Sequence, residues 1–355
     1  MDHLKRTEAG PPGTSGDVNG GLEEFAGEAH TALLESAASL RDYPTLSDLT
    51  PETVRQIAAA HGVDFATSLL YHRVRNDGRN RPYIARINRL RTGEAHTPAQ
   101  ARNELIVAII PAAFYKEKPH SGADGRVIRN AAARLGLRSE LVPVHSTGTL
   151  AQNSSILLDW LKQRAGQKAI LVSLCKGGAD VKFAFARPGA PEQLQHVLAW
   201  VNVCGTLNGS LIAAWLLKTK VRTVATWVVL KSGGHKLAFL RELVPSASNP
   251  LSGPIMLPPQ MKLISIAGFP LRRHLSNGFM RRCHTVLSER GPNDGGLLLA
   301  DVCQVPGAVY PVWGADHYLR PDDRAEQIIA AVLSDLIERP APERIRNQEE
   351  PCPSH

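Results

Sequence analysis

Cys175 is the residue of this chain best placed for covalent chemistry. It lies in Val172-Ser173-Leu174-Cys175-Lys176-Gly177-Gly178, where an apolar strand predicted over 168–174 enters a small-residue turn and then a helix starting near Ala179. So sharp a turn strains the backbone of its central residue and aims the side chain off the sheet. Gly177 and Gly178 remove side chains that would collide with the crowded strand and helix. A thiol held there can attack an acyl carbonyl once a base makes it a thiolate, and the base needs a third group to hold its tautomer and orientation.

Position selects the base among thirteen histidines. His317, in Val312-Trp313-Gly314-Ala315-Asp316-His317-Tyr318, follows the last predicted strand, at the carboxyl edge where open α/β sheets place their chemistry. His235, His274 and His284 fall in an apolar insertion or in arginine-rich segments. The acid expected to orient His317 is Asp294, in the turn sequence Asn293-Asp294-Gly295-Gly296, with Asp301 and Asp316 as alternatives. Asp316 adjoins His317 and points the other way in an extended segment. An oxyanion hole is expected from two backbone N–H groups: that of Lys176, and one from the loop after the strand at 105–110, around Ala112, Ala113 or Phe114, with Ala113 the choice. Phe114, Trp215 and Trp227 are the apolar side chains expected to meet substrate.

The elements that must position these residues alternate from about residue 103. Strands are predicted over 105–110, 140–144, 168–174, 197–203, 261–267 and 307–313, with helices over 125–135, 150–164 and 321–337 between and after them. Continuous apolar runs such as Leu105–Ile110 fit strands buried on both faces, so the expected fold class is α/β, a doubly wound, mostly parallel sheet. Residues 210–260 break the rhythm as a helical, lid-like insertion. Helical spacing over 28–40 and 50–75 marks an N-terminal helical region, 23–102, ahead of the core at 103–337. Residues 1–22 and 338–355, rich in Gly, Pro and polar residues, are expected to be disordered tails.

Composition narrows the class further. With 355 residues, 43% hydrophobic and 21% charged, the chain reads as a soluble globular protein, and its longest apolar runs are too short to span a bilayer. Five scattered cysteines form no disulfide framework, and no export signal opens the sequence, so a reducing cytoplasm is expected. No metal-ligand spacing is present, Lys176-Gly177-Gly178 matches no phosphate loop, and no cofactor is expected. The net charge of +8 concentrates at Arg73–Arg91 and at Arg272, Arg273, Arg281 and Arg282. That is a solvated surface, or a docking face for an acyl carrier protein or the phosphates of coenzyme A. Nucleic acid is not expected, because aromatic content is 5% and no recognition motif accompanies the arginines.

The core from 103 to 337 resembles the α/β-hydrolase superfamily. The elbow resembles Gly-x-Ser-x-Gly, with Ser173 at the first glycine and Cys175 at the serine, and the order Cys175, Asp294, His317 is the order of that superfamily's triad. Asn293-Asp294-Gly295 resembles the segment carrying the acid in bacterial lipases. Gly205-Thr206-Leu207-Asn208-Gly209-Ser210 resembles the lipase turn Pro-His-x-Gly-Ser without its Pro-His. Cys175-Lys176-Gly177-Gly178 resembles the elbow of dienelactone hydrolases and polyhydroxyalkanoate synthases, which also use cysteine. The resemblance implies an acyl-cysteine enzyme acting on a small-molecule ester or thioester, by hydrolysis or by acyl transfer. The competing reading is an inactive hydrolase-fold binding or scaffold protein.

Overall fold

The computed structural model describes residues 28–93, 104–118, 121–275, 277–320 and 322–339, so the expected tails at 1–22 and from 340 onward lie outside it. Six strands form one sheet: β1 (Leu105–Ile110), β2 (Arg138–Leu141), β3 (Lys168–Leu174), β4 (Val197–Val203), β5 (Lys262–Phe269) and β6 (Ala308–Trp313). Their order is β2-β1-β3-β4-β5-β6 and every pairing is parallel. The chain runs outward from β1 to β2 and then returns past β1 to β3. The topological switch therefore lies between β1 and β3, the place where open α/β sheets form their crevice, beyond the strands' carboxyl ends.

Alternation along the strands divides the interior in two. Val107, Ile109, Ile170, Val172 and Val201 face one side, against Ile128, Ala131 and Ala132 of helix Arg126–Arg134 and Leu333 of helix Asp322–Glu338. Ile106, Ala108, Ile110, Leu171 and Trp200 face the other, against Leu157 and Leu161 of helix Leu150–Lys162 and Val181, Ala184 and Phe185 of helix Lys176–Phe185. Burial on both faces is why these strands read as unbroken apolar runs. The largest strand difference from expectation is at β2, which covers 138–141 and not 140–144. Val142 N–H still donates to the Ile109 carbonyl (2.9 Å), but Pro143 has no N–H with which to continue the ladder.

Four N-terminal helices, Glu28–Ser39, Pro51–His61, Val63–Asn76 and Asn80–Thr92, close the first face. The single helical stretch expected over 50–75 is two, because Gly62 takes φ +91° between them. Leu69, Leu70, Tyr71, Val74 and Ile87 share one apolar cluster with the sheet, and Tyr71 packs 4.8 Å from Trp313 and 5.6 Å from Phe269, ring centre to ring centre. The same packing engages part of the first arginine cluster, while Arg79, Arg81 and Arg89 stay exposed. Arg73 is buried and donates to the Tyr43 and Leu40 carbonyls (2.6 and 2.5 Å), while Arg86 pairs with Asp335 and Glu338. These arginines tie helices to the core and to each other.

The insertion after β4 holds helices Leu211–Leu217, Lys220–Ser232 and Ala238–Glu242. Ala213, Leu230, Leu237, Phe239 and Leu251 form a third apolar cluster with Leu150 and Ala179, with Ala113, Phe114 and Phe183 at its margin. The insertion thus sits over the start of helix Lys176–Phe185 and the loop after β1. Buried Lys182 fastens it, donating to the Leu251 carbonyl (2.7 Å) and Asn208 Oδ1 (3.2 Å). Among the described residues no helix is long and apolar enough to cross a membrane.

Candidate active site

At the end of β3, Cys175 adopts φ +47°, ψ −116°, a region that L-residues rarely occupy, and it caps helix Lys176–Phe185. Such strain persists only where the surroundings over-determine it. They do so here, with Cys175 N–H donating to the Val203 carbonyl (3.2 Å) and its own carbonyl accepting from Gly178 (3.0 Å) and Thr206 (2.9 Å). The glycines are steric requirements. A Cβ at Gly177 would lie 2.5 Å from the Ile110 carbonyl oxygen, and one at Gly178 would lie 2.6 Å from Asn202 Oδ1. Ser173, in place of the pattern's first glycine, is buried in the sheet, where its hydroxyl accepts from Trp200 Nε1 (2.8 Å) and donates to Asn202 Oδ1 (3.3 Å).

The loop after helix Gly278–Ser288 holds Asp294, which is fully buried. Asn293 anchors this loop by donating to the His284 and Gly291 carbonyls, and Gly295 turns it at φ +90°. Asp294 Oδ1 accepts from the N–H groups of Gly296 and Leu297, both at 2.8 Å, and Oδ2 accepts from His317 Nδ1 at 2.9 Å. The His317 backbone N–H donates to the Asp294 carbonyl (3.0 Å), so ring and carboxylate are held in register. The alternative acids are elsewhere: Asp316 Oδ1 accepts from Tyr318 N–H, and Asp301 is hydrogen-bonded to Asn208 near Lys182.

With Nδ1 committed to Asp294, the other nitrogen of His317 serves Cys175, to which its side chain is hydrogen-bonded. Burial raises the Cys175 pKa, but the His317 charge and hydrogen bond, the Lys176 N–H and the Thr206 hydroxyl lower it more, and the thiol ends below its ordinary value. Burial lowers that of His317, yet Asp294 and Cys175 together hold it well above the usual imidazole range. Both directions favour a thiolate beside an imidazolium. Alkylation of Cys175 by iodoacetamide should switch on at a lower pH than for a free cysteine, near 8.5. Thr206→Val should move that inflection upward, as read by intact mass across a pH series.

Backbone accounting bears on the oxyanion donors. In the loop after β1, Ala112 N–H donates to the Ala123 carbonyl (2.9 Å) and Phe114 N–H to the Ser146 carbonyl (3.3 Å). Ala113 N–H, between them, has no acceptor among the described residues. Lys176 N–H points to the Cys175 sulfur. Its side chain is turned away, buried in an ion pair with Asp180 (2.6 Å), whose other oxygen accepts from Asn153 Nδ2 (2.9 Å). Neither this pair nor the Thr206 hydroxyl carries a sequence signal: a threonine in a Gly-rich turn and a lysine after a cysteine look like surface residues.

Phe114, at φ +61°, presents its ring to Phe239 and His235 of the insertion. Trp215 is covered by the guanidinium groups of Arg222 and Arg282, 4.6 and 5.4 Å from its ring centre. Trp227 is 44% exposed, one helical turn before buried Leu230, and its ring meets the Lys231 ammonium at 4.7 Å.

A second thiol, Cys204 after β4, lies with Asp294 and His317 so that their ligand atoms are within 4.8 Å of one another. His317 and Asp294 are already hydrogen-bonded, and burial beside Asp294 keeps the Cys204 thiol protonated. These are poor conditions for a metal.

Gly296 packs directly against the histidine, and a Cβ there would lie 2.4 Å from His317 Nδ1. Gly296→Ala should displace the ring and lower kcat/KM by about 10²-fold, with the circular dichroism spectrum unchanged.

No family model matches the chain, and no curated protein matches it in sequence. Solved structures do. A metagenomic carboxyl esterase, MGS0156, superposes with a TM-score of 0.53 at 16% identity, over 87% of this chain and 99% of its own. The Bacillus licheniformis lipase BlEst2 in its mature form gives 0.45 at 19%, over 69% and 91%. The phospholipase PlaB of Legionella pneumophila gives 0.48 at 11%, over 67% and 59%.

Proposed function

From a chain that has the α/β-hydrolase fold, we propose that Cys175 is an acyl-accepting nucleophile and that the protein is a thioesterase, esterase or acyltransferase. The observation that carries this reading is the line of hydrogen bonds from Asp294 through His317 to Cys175, ending at a strained, half-buried thiol.

The reaction follows from the charges. His317 holds the thiol proton, and the Cys175 sulfur attacks the acyl carbonyl. The carbonyl oxygen takes up negative charge, and the N–H groups of Lys176 and Ala113 are the donors available to it. As the tetrahedral adduct collapses, His317 gives its proton to the departing alcohol or thiol, leaving an acyl-cysteine. Water or another acceptor, deprotonated by His317, then releases the acyl group. A thiolate is a good leaving group, so a substrate must depart at least as well as Cys175 for the first step to run forward. Thioesters and activated esters satisfy this, and plain alkyl esters do so less well. The donor is accordingly an acyl thioester or activated ester. Acyl carrier protein or coenzyme A thioesters belong to this class, and the exposed Arg272, Arg273, Arg281 and Arg282 would suit their charge.

The test is intact mass after brief incubation with acyl thioesters and p-nitrophenyl esters of several chain lengths. An added acyl mass with a burst of leaving group supports the reading. Folded, reduced protein that gives neither with any donor would overturn it in favour of a binding protein.

A further inference from the structure

Helix Lys220–Ser232 of the insertion is built inside out. Its inward positions are Thr223, Thr226 and Leu230, of which Leu230 alone is fully buried. The Thr223 hydroxyl turns back onto the Leu217 and Thr219 carbonyls (3.3 and 3.0 Å). Outward stand Val221, Val224, Trp227, Val228 and Val229, exposed by 80, 59, 44, 52 and 71%. A surface helix ordinarily turns its apolar stripe to the core and its hydroxyls to water. Valine is also a weaker helix former than alanine or lysine, so these side chains serve neither the helix nor the interior.

Charge identifies what they face. Residues 193–241 contain no Asp or Glu, while Lys218, Lys220, Arg222, Lys231, Lys236 and Arg241 are all exposed. A second copy meeting this face across a two-fold axis would set cations against cations with no acid to pair them. The ridge is one convex helix, unsuited to clasping a peptide. Lys231 lies 4.7 Å from the Trp227 ring centre, an ammonium beside a half-exposed indole at the edge of an apolar strip. Apolar ridge, flanking cations and a marginal tryptophan are what a helix needs to lie in a lipid headgroup region, its lysines reaching out to the charges.

We propose that the outer face of helix Lys220–Ser232 docks on an anionic lipid surface, with Val221, Val224, Trp227 and Val228 at the acyl boundary and Lys218, Lys220 and Lys231 on the headgroups. The inner face of the insertion packs on Ala179 and Leu150, so docking brings the start of the elbow helix close to the lipid.

The experiment is co-sedimentation of the full chain with vesicles of phosphatidylcholine mixed with phosphatidylglycerol, beside vesicles of phosphatidylcholine alone. Binding to the anionic vesicles is expected, weakening as salt rises, with a blue shift of tryptophan emission that Trp227→Phe removes. Val224→Asp with Val228→Asp should lower the vesicle partition by roughly tenfold or more, with thermal unfolding unchanged. No binding to the anionic vesicles, or equal binding to both kinds, would overturn the proposal. So would a concentration-dependent dimer dissolved by the double variant, which assigns the face to a second copy. The readout needs no turnover, so it stands or falls apart from the acyl-cysteine reading.

Discussion

Cys175→Ala is expected to abolish the acyl adduct and to lower kcat/KM on an activated ester by roughly 10⁴-fold, leaving only what the oxyanion donors and binding supply. Cys204→Ala separates the two thiols near His317. Cys204 is buried and held protonated by its surroundings, whereas Cys175 is only partly buried and its thiol is pulled below its ordinary pKa. The Cys204 variant should therefore still take up the acyl group. Intact mass on both variants checks the pair: an adduct that survives in Cys175→Ala and disappears in Cys204→Ala would move the nucleophile to the end of β4.

Asp294→Asn should cost about 10³- to 10⁴-fold in kcat/KM, because an amide can orient His317 in either tautomer and does not stabilise the imidazolium. The pH behaviour has a definite sign. Asp294 is among the groups that hold His317 above its usual range, so removing its charge lets the imidazolium lose its proton at lower pH. With less positive charge beside it, Cys175 titrates closer to a free thiol, and the inflection for alkylation moves up. Asp294→Ala differs in kind. It strands the Gly296, Leu297 and His317 donors in a buried site and should also destabilise the fold, by about 1–3 kcal/mol per unsatisfied group before relaxation. Denaturant unfolding of the two variants distinguishes lost chemistry from lost stability.

Much of the fold was legible because each signal was local. Apolar runs without alternation marked strands buried on both faces, and a cysteine between an apolar strand and Gly177-Gly178 marked a sharp turn. Asp294 was harder, since Asn-Asp-Gly-Gly is ordinary turn sequence. Its carboxylate is distinguished by three donors, and two of those come from the turn itself. The span of β2 differs from the sequence pattern by two residues at its start and three at its end, because the side-chain pattern continues through Val142-Pro143-Val144 where hydrogen bonding cannot. Periodicity also says that a helix face is buried without saying against what. So the contact of Tyr71 with Trp313, and the engagement of Arg73 and Arg86, came only with the tertiary structure.

By itself, then, the sequence determined the strand–helix alternation, the strained thiol at the end of β3, and the order in which base and acid follow along the chain. These depend on residue types and spacings within a few turns. The tertiary structure alone decided that Asp294, and not Asp301 or Asp316, meets His317 and that Thr206 reaches the thiol. Each of those depends on where two distant segments come to rest against the same sheet edge, and short-range pattern carries no record of that distance.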